Sequence, residues 1–356
     1  MSKVETLRKA MSDKGLDAVV VFDELNQRYL SDFAFTDGLL LITMQRAFLI
    51  TDFRYYEMGK NSASADFEVI IPDNRREFIT KTFEEDGCLR VGFEGSYVSY
   101  DRFSALKYDY PSVEFENIGN VIELQRMVKD DKEIKFMQKA QDITDAAFSH
   151  ILKVITPDMT EIEVAAELEY AMRRGGADGL AFETIAVSGD ASSLPHGTPR
   201  NVKLKKGFLT MDFGAKFEGY CSDMTRTIVI GKADAEIKKL YNTVLDAQMS
   251  ALAFLKCGAD ASDADKVARD IIDSHPEFKG TFGHSLGHGV GLFIHESPRL
   301  SGKATGNLLR IGEVVTVEPG IYLYGKYGCR IEDMVKIEKN GVYNFTKSTK
   351  ELIEIL

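Results

Sequence analysis

From the amino terminus to residue 120, short β-rich apolar runs alternate with stretches of helical periodicity, the pattern of an α/β layered domain. The runs DAVVVF, GLLLIT, RAFLIT, FEVII, RVGFE and SVEFE predict strands, while Val4 to Lys14, Phe53 to Asn61, Arg76 to Glu85 and Ser99 to Tyr110 predict helices. A charged stretch, MVKDDKEIKFM, then leads into a long helix. There Ile134, Met137, Ala140, Ile143, Ala147, Ile151 and Val154 recur at spacings of three and four, as one buried helical stripe requires. A second helix runs from Glu161 to Arg174, opened by Thr160 and closed by Gly175 and Gly176. Two more are predicted around Ala235 to Lys256 and Ser262 to Ser274, set among further strands. The transition near residue 125 divides the chain into two predicted domains, 1–125 and 126–356.

A chain of 356 residues is long enough for a core in each. With 44% hydrophobic and 28% charged residues and only 8 prolines, it reads as globular rather than disordered. A formal charge of -11 argues against nucleic-acid binding, which needs clustered Lys and Arg to displace counterions. No run approaches the ~20 apolar residues of a membrane span. The charged opening MSKVETLRKAMSDKGL lacks the apolar core of a secretory signal. Cys88, Cys221, Cys257 and Cys329 are widely spaced with no CxxC pair, which fits free thiols in a reducing compartment and makes the cytoplasm the expected location.

The chemistry concentrates after residue 195. Asp212 in TMDFGAKFEGYCSDMTRT, Asp223 in the same stretch, Glu318 in VVTVEPGIY and Glu332 in GCRIEDMV each interrupt an apolar β-rich run, where a buried charge must be compensated. A cation is the simplest compensation. Oxygen donors with a single imidazole, His288 of GHSLGHGVGLFIHESPRL, suit a hard or borderline divalent ion, and four carboxylates carry more charge than one ion balances, so two ions are expected. A hairpin turning at Phe217 and Glu218 would set Asp212 and Asp223 directly opposite each other, about 4.5–5.5 Å apart at Cβ. Glu318 and Glu332 repeat the arrangement around Gly325. The segments GFLTMDFG and GEVVTVEPG share a Thr two residues before the acid and a Gly two after it, an echo of two similar halves meeting at one site. Any one of these acids alone reads equally well as a strand-end residue in a solvated turn. His284, His288 and His295 lie in a glycine-rich segment whose backbone freedom lets imidazoles converge. His150 on a helix and His275 before Pro276 take the ordinary structural reading.

The ordered set Asp212, Asp223, GHGVGL with His288, HE with His295, VEPGIY with Glu318 and RIED with Glu332 closely resembles the pita-bread metallopeptidases: methionine aminopeptidases, Xaa-Pro aminopeptidases and Xaa-Pro dipeptidases. The match spans about residues 125–356, and the preceding segment resembles the creatinase-type amino-terminal domain. The resemblance implies an α/β (α+β) fold, a creatinase-like amino-terminal domain followed by a pseudo-two-fold pita-bread catalytic domain. It implies that Asp212 holds one metal, Asp223 and Glu332 bridge the pair, and His288 with Glu318 complete the second. Mn²⁺ is the implied ion, with Co²⁺ or Zn²⁺ as replacements, and a hydroxide between the metals the nucleophile, with Glu318 moving its proton. His196 of LPHGTP and His295 would hydrogen-bond the scissile amide or the tetrahedral intermediate, His284 would line the proline pocket, and Arg330 would orient the ligand carboxylates. Dimerisation is also implied.

The expected substrate is a peptide with proline at its second position, because an X-Pro bond has no N–H and carries a rigid ring that suits a small apolar slot. Aminopeptidase action is favoured. Arg299 of HESPRL, able to grip a free carboxylate, keeps a strict Xaa-Pro dipeptidase (prolidase) open. A creatinase-like hydrolase without metal and a non-enzymatic scaffold are the remaining alternatives, both of which would be expected to lack part of the acid set.

Overall fold

The computed structural model describes all 356 residues and divides into two compact units, Met1–Arg126 and Met127–Leu356. In the first, α1 (Lys3–Lys14), β1 (Ala18–Val21), α2 (Glu24–Ser31), β2 (Leu39–Thr43), β3 (Ala47–Ile50), α3 (Phe53–Ser62), β4 (Glu68–Ile70), α4 (Arg75–Glu85), β5 (Arg90–Phe93), α5 (Tyr100–Asp109) and β6 (Glu114–Asn117) precede α6 (Val121–Met127). Six strands form one mixed sheet in the order β4-β3-β2-β1-β5-β6. The central runs are buried on both faces, as continuous apolar strands covered by helices must be. Helix α2 is absent from the expectations above. It is capped by Asp23 and buries Asn26, Gln27 and Ser31 beside Tyr29 and Leu30, so much of its inward face is polar and the apolar periodicity that marks a helix is broken.

The second unit runs through the same order of elements twice. The first half has α7 (Asp131–Val154), α8 (Glu161–Arg174), β7 (Gly179–Leu180), β8 (Ile185–Ser188), β9 (Gly207–Phe213), the hairpin β10 (Ala215–Phe217) and β11 (Tyr220–Cys221), then β12 (Met224–Ile230). The second half has α9 (Ala235–Phe254), α10 (Ala261–Asp273), β13 (Gly287–Gly289), β14 (Glu296–Leu300), β15 (Val314–Val317), the hairpin β16 (Gly320–Leu323) and β17 (Tyr327–Arg330), then β18 (Asp333–Glu338), followed by β19 (Gly341–Asn344) and β20 (Glu354–Ile355). Antiparallel β8-β9-β12 in one half matches antiparallel β13-β15-β18 in the other.

Asp130 and Thr160 cap α7 and α8, each with a reciprocal Glu three residues on. The α7 stripe buries Met137, Ala140, Ile143, Ala147 and Ile151, but Val154, in the last turn, is exposed. Of these, Ile143, Ala147 and Ile151 join Leu168, Met172, Met211 and Phe213 in the first core. The second core packs Leu240, Val244, Ala264 and Ala268 on Val315, Val317 and Val335. Each fully buried aliphatic side chain of Leu or Val size contributes about 1.5–3 kcal/mol, so both sheets are rigid platforms for the residues at their strand ends.

The hairpin register departs from expectation in one half. In β9 and β12, Asp212 pairs with Thr225, not Asp223. Phe217 pairs with Tyr220, leaving Glu218 and Gly219 as the two turn residues, with φ of 48° and 76°. A two-residue hairpin loop of this kind needs positive φ at both positions, so the glycine draws the turn one residue past Phe217–Glu218. Around Gly325 the expected register is present, with Val317 opposite Asp333 and Gly320 opposite Arg330.

Candidate metal centre

The four acids stand where strands end. Asp212 is the penultimate residue of β9, Asp223 immediately precedes β12, Glu318 follows β15 and Glu332 precedes β18. His288 is the middle residue of β13. All five line one cavity of about 480 Å³, together with His196, His284, His295, Arg299 and Arg330. Every residue singled out in the sequence as a site candidate is therefore brought to the same place. His150 is elsewhere, on α7 and paired with Glu167 at 2.9 Å, and His275 lies against Phe278 near the end of α10.

The acids are held by short polar contacts. Arg330 donates to Asp212 Oδ2 at 2.6 Å and, through Nε, to Thr225 Oγ1 at 3.0 Å. Thr225 in turn donates to Glu332 Oε2 at 2.7 Å. Thr316 donates to Glu318 Oε1 at 3.2 Å and accepts from the His288 backbone N–H at 3.1 Å. Burial, reinforced by Asp212, pushes the Asp223 carboxyl well above the carboxylate range, and burial with Asp223 nearby does the same to Glu332. Burial raises Glu318 to about 8, against the pull of Arg330. These are groups that resist ionising together unless positive charge is brought to them.

The donor set fits divalent ions. The His288 Nδ1–H donates to the Gly289 carbonyl at 3.0 Å, which leaves the Nε2 lone pair facing outward from the ring. That nitrogen lies 3.5 Å from Asp223 Oδ2 and 3.4 Å from Glu318 Oε1. Burial drops the His288 pKa to about 3, so the imidazole is neutral and the contacts are not ion pairs. Donor atoms of Asp223, His288 and Glu332 lie within 4.8 Å of one another, a spacing that a central ion with bonds of about 2.0–2.6 Å spans. Asp212 Oδ1, on the same cavity, is buried with no hydrogen-bond partner.

Around the acids, His284 has both ring nitrogens engaged: Nδ1 with the Ser285 carbonyl and Nε2 with the Tyr322 hydroxyl, each at 2.9 Å. Arg330 donates to that hydroxyl at 2.7 Å, so Tyr322 donates onward to the imidazole. Burial, with help from Arg330, lowers His284 to about 4, and the ring meets the cavity as an uncharged, apolar surface. His196, His295 and Arg299 are exposed at the cavity mouth. His295 meets His288 edge to face, 4.5 Å between ring centroids, and burial and Arg299 lower its pKa.

Thr225, Thr316 and Tyr322 were missed in the sequence. Two had a visible signal. Thr316 is the shared Thr of the internal echo, and Tyr322 ends EPGIY. Thr225 had none, because only the true register places it opposite Asp212.

Strand-end acids, a neutral imidazole among them and a doubled half-fold define a metallopeptidase of the pita-bread type. The chain belongs to metallopeptidase family M24, whose description matches residues 135–339, and residues 3–128 match the Creatinase/Prolidase N-terminal domain. It is 38% identical over 353 residues to an Xaa-Pro dipeptidase of Pyrococcus horikoshii, covering 99% of this chain and 98% of the relative. Among solved structures it is similar to an Xaa-Pro dipeptidase from Bacillus anthracis, with TM-score 0.94, 41% identity and 99% of each chain covered. It is also similar to an X-Pro aminopeptidase from Thermotoga maritima, with TM-score 0.90, 36% identity and full coverage of both chains, 100%. Family membership implies divalent metal ions, and the acids and His288 form a site able to hold them.

Proposed function

We propose that the protein removes an amino-terminal residue from peptides with proline in the second position, acting as an Xaa-Pro aminopeptidase. The observation that carries this reading is the buried cluster of four acids around a neutral His288 whose free lone pair faces two carboxylates. Asp212, Asp223, His288, Glu318 and Glu332 would hold two divalent ions. Hard oxygen donors favour Mn²⁺, with Co²⁺ or Zn²⁺ as substitutes. When bound, the ions polarise the scissile carbonyl and lower the pKa of the attacking water.

The chain's own groups do the rest. Glu318, ionised once positive charge is brought to the cluster, takes a proton from the attacking water and returns it to the departing proline nitrogen. His295 and His196, at the mouth, hydrogen-bond the scissile amide and the tetrahedral intermediate. His284, with both nitrogens satisfied, gives the proline ring an apolar wall. The full acid set in one cavity stands against the creatinase-like and scaffold readings.

Arg299 lines the cavity, and this favours a second reading, a dipeptidase that grips the carboxylate of Xaa-Pro. The test is hydrolysis of Xaa-Pro-Xaa, Xaa-Pro and Xaa-Ala-Xaa peptides with added Mn²⁺ and with chelator. Release of the first residue from the tripeptide, dependent on metal and proline, is the expected result. Turnover of dipeptides alone, lost in Arg299→Ala, would move the assignment to the dipeptidase, and metal-independent turnover would end both. A cytoplasmic homodimer belongs to the same proposal. Its location is supported by the four free thiols, and sedimentation measures its size.

A further inference from the structure

Glu161 is the first residue of α8, and its side chain is fully buried at 0% exposure. It accepts from two positions far along the chain. Oε1 takes the Ser188 backbone N–H and hydroxyl, both at 2.8 Å, and Arg200 NH2 at 2.7 Å. Oε2 takes the Arg200 backbone N–H at 3.0 Å and its Nε at 2.8 Å. Burial alone would raise this carboxyl, but the guanidinium and the Ser188 donors outweigh it and hold it below its ordinary value. The result is a bidentate, charge-assisted knot reinforced by two backbone donors.

Ser188 ends β8, and Arg200 lies at the far end of the segment that carries His196. One carboxylate therefore ties both ends of 188–200 to α8. Within the segment, Ser192 accepts from the Gly328 N–H at 3.0 Å and the Pro195 carbonyl from Arg330 at 3.3 Å. His196 itself is exposed at the cavity mouth, so its place is set by the loop beneath it rather than by packing around its ring.

We propose that the Glu161–Arg200 clamp is a positioning device that fixes the His196 loop over the cavity, which makes Glu161 a positioning residue for recognition of the scissile amide. The catalytic half of this statement rests on the reading of His196 given under Proposed function. A purely structural ion pair would stabilise the fold without acting through His196. The clamp acts through it, because a displacement of about 1 Å in a positioned group lowers turnover up to about 10²-fold.

The test uses the full-length, Mn²⁺-loaded chain, with Glu161→Gln, Arg200→Lys, His196→Ala and the double variant Glu161→Gln/His196→Ala. Hydrogen exchange of residues 188–200 is read beside kcat/KM on an Xaa-Pro-Xaa peptide and Mn²⁺ stoichiometry. Glu161→Gln is expected to lower kcat/KM about 10- to 100-fold, to speed exchange in 188–200, and to leave Mn²⁺ binding unchanged. In the His196→Ala background the same substitution should lower activity by less than about threefold, since coupled groups are non-additive. Equal losses in both backgrounds would overturn the proposal. Unchanged exchange in 188–200 would overturn the clamp whatever His196 does, whereas a silent His196→Ala with faster exchange would overturn only the role given to His196. Arg200→Lys, which keeps the charge but loses the planar fork, carries the same test if Glu161→Gln does not fold.

Discussion

In the first half of the catalytic unit the chain between the two acids turns through Glu218 and Gly219, whereas in the second it turns through Tyr324, Gly325 and Lys326. The odd-length loop centres on a residue and leaves Glu318 and Glu332 symmetric about it. The two-residue loop centres between Glu218 and Gly219, one residue past the midpoint of Asp212 and Asp223, so Asp212 faces Thr225 and Asp223 is displaced by two positions along its strand. Side chains alternate with a period of two, so this displacement keeps Asp223 on the same face. The hydrophobic pattern thus decided which face carried the acids, and turn chemistry decided which atoms met. The difference has a use: Thr225, in the place opposite Asp212, passes a hydrogen bond from Arg330 to Glu332.

If the halves contribute equally to one centre, losing an acid from either should be equally severe. Asp223→Asn and Glu332→Gln are each expected to lower kcat/KM by about 10³-fold or more, the several kcal/mol that metal-assisted charge stabilisation supplies. Both should also reduce Mn²⁺ stoichiometry in titration calorimetry. His150→Ala, outside the cavity, should leave both readouts unchanged. Substantial turnover in either acid variant, with full metal loading, would show that the halves are not equivalent partners.

A second break lies where the halves are tied. Arg226 of β12 donates to Asp333 of β18 at 2.8 Å and to the Glu332 carbonyl at 2.6 Å. Lys350 and Gln248 also donate to Asp333, at 2.7 Å and 3.0 Å. Removing one partner leaves an uncompensated buried charge, so Asp333→Ala is expected to destabilise the chain by about 3–5 kcal/mol in denaturant melts. Burial would raise Asp333, but Arg226 and Lys350 prevail and hold its carboxyl below 3.8. A depressed carboxyl stabilises fully above its unfolded value and loses that contribution as pH falls through the lower folded value. Asp333→Asn should therefore flatten the acid limb of stability below pH about 3.8. An unchanged acid limb would place the tie elsewhere.

These contrasts also mark how far the sequence could be read. Apolar spacing located α7, and Thr160 with Gly175 and Gly176 located α8, because such signals act within a few residues of each other. The acids were legible because charge in an apolar β run needs a reason. What was not legible depended on contacts across the fold. The polar residues on the inward face of α2 broke its apolar period, Thr225 needed a register, and Glu161 and Asp333 looked like ordinary acids. Asp333 even stood inside the RIED motif without drawing notice, since nothing local says that Arg226 lies against it.

The smallest effect tests the turns themselves. Gly219 and Gly325 have φ of 76° and 70°, where a Cβ strains the backbone by about 1–2 kcal/mol. Gly219→Ala and Gly325→Ala should each lower stability by about that amount, with Tm falling by a few degrees at most for a chain of this size. Their kinetic effects should differ. Around Gly325 an odd-length loop can relax without moving Glu318 relative to Glu332, whereas in the first half the two-residue loop leaves no slack. A shift there alters the pairing of Asp212 with Thr225 and, through it, the bond to Glu332. Gly219→Ala should therefore lower kcat by a few-fold while Gly325→Ala leaves it within about twofold, and equal kcat in the two variants would show that the sheets, not the turns, hold the acids in register.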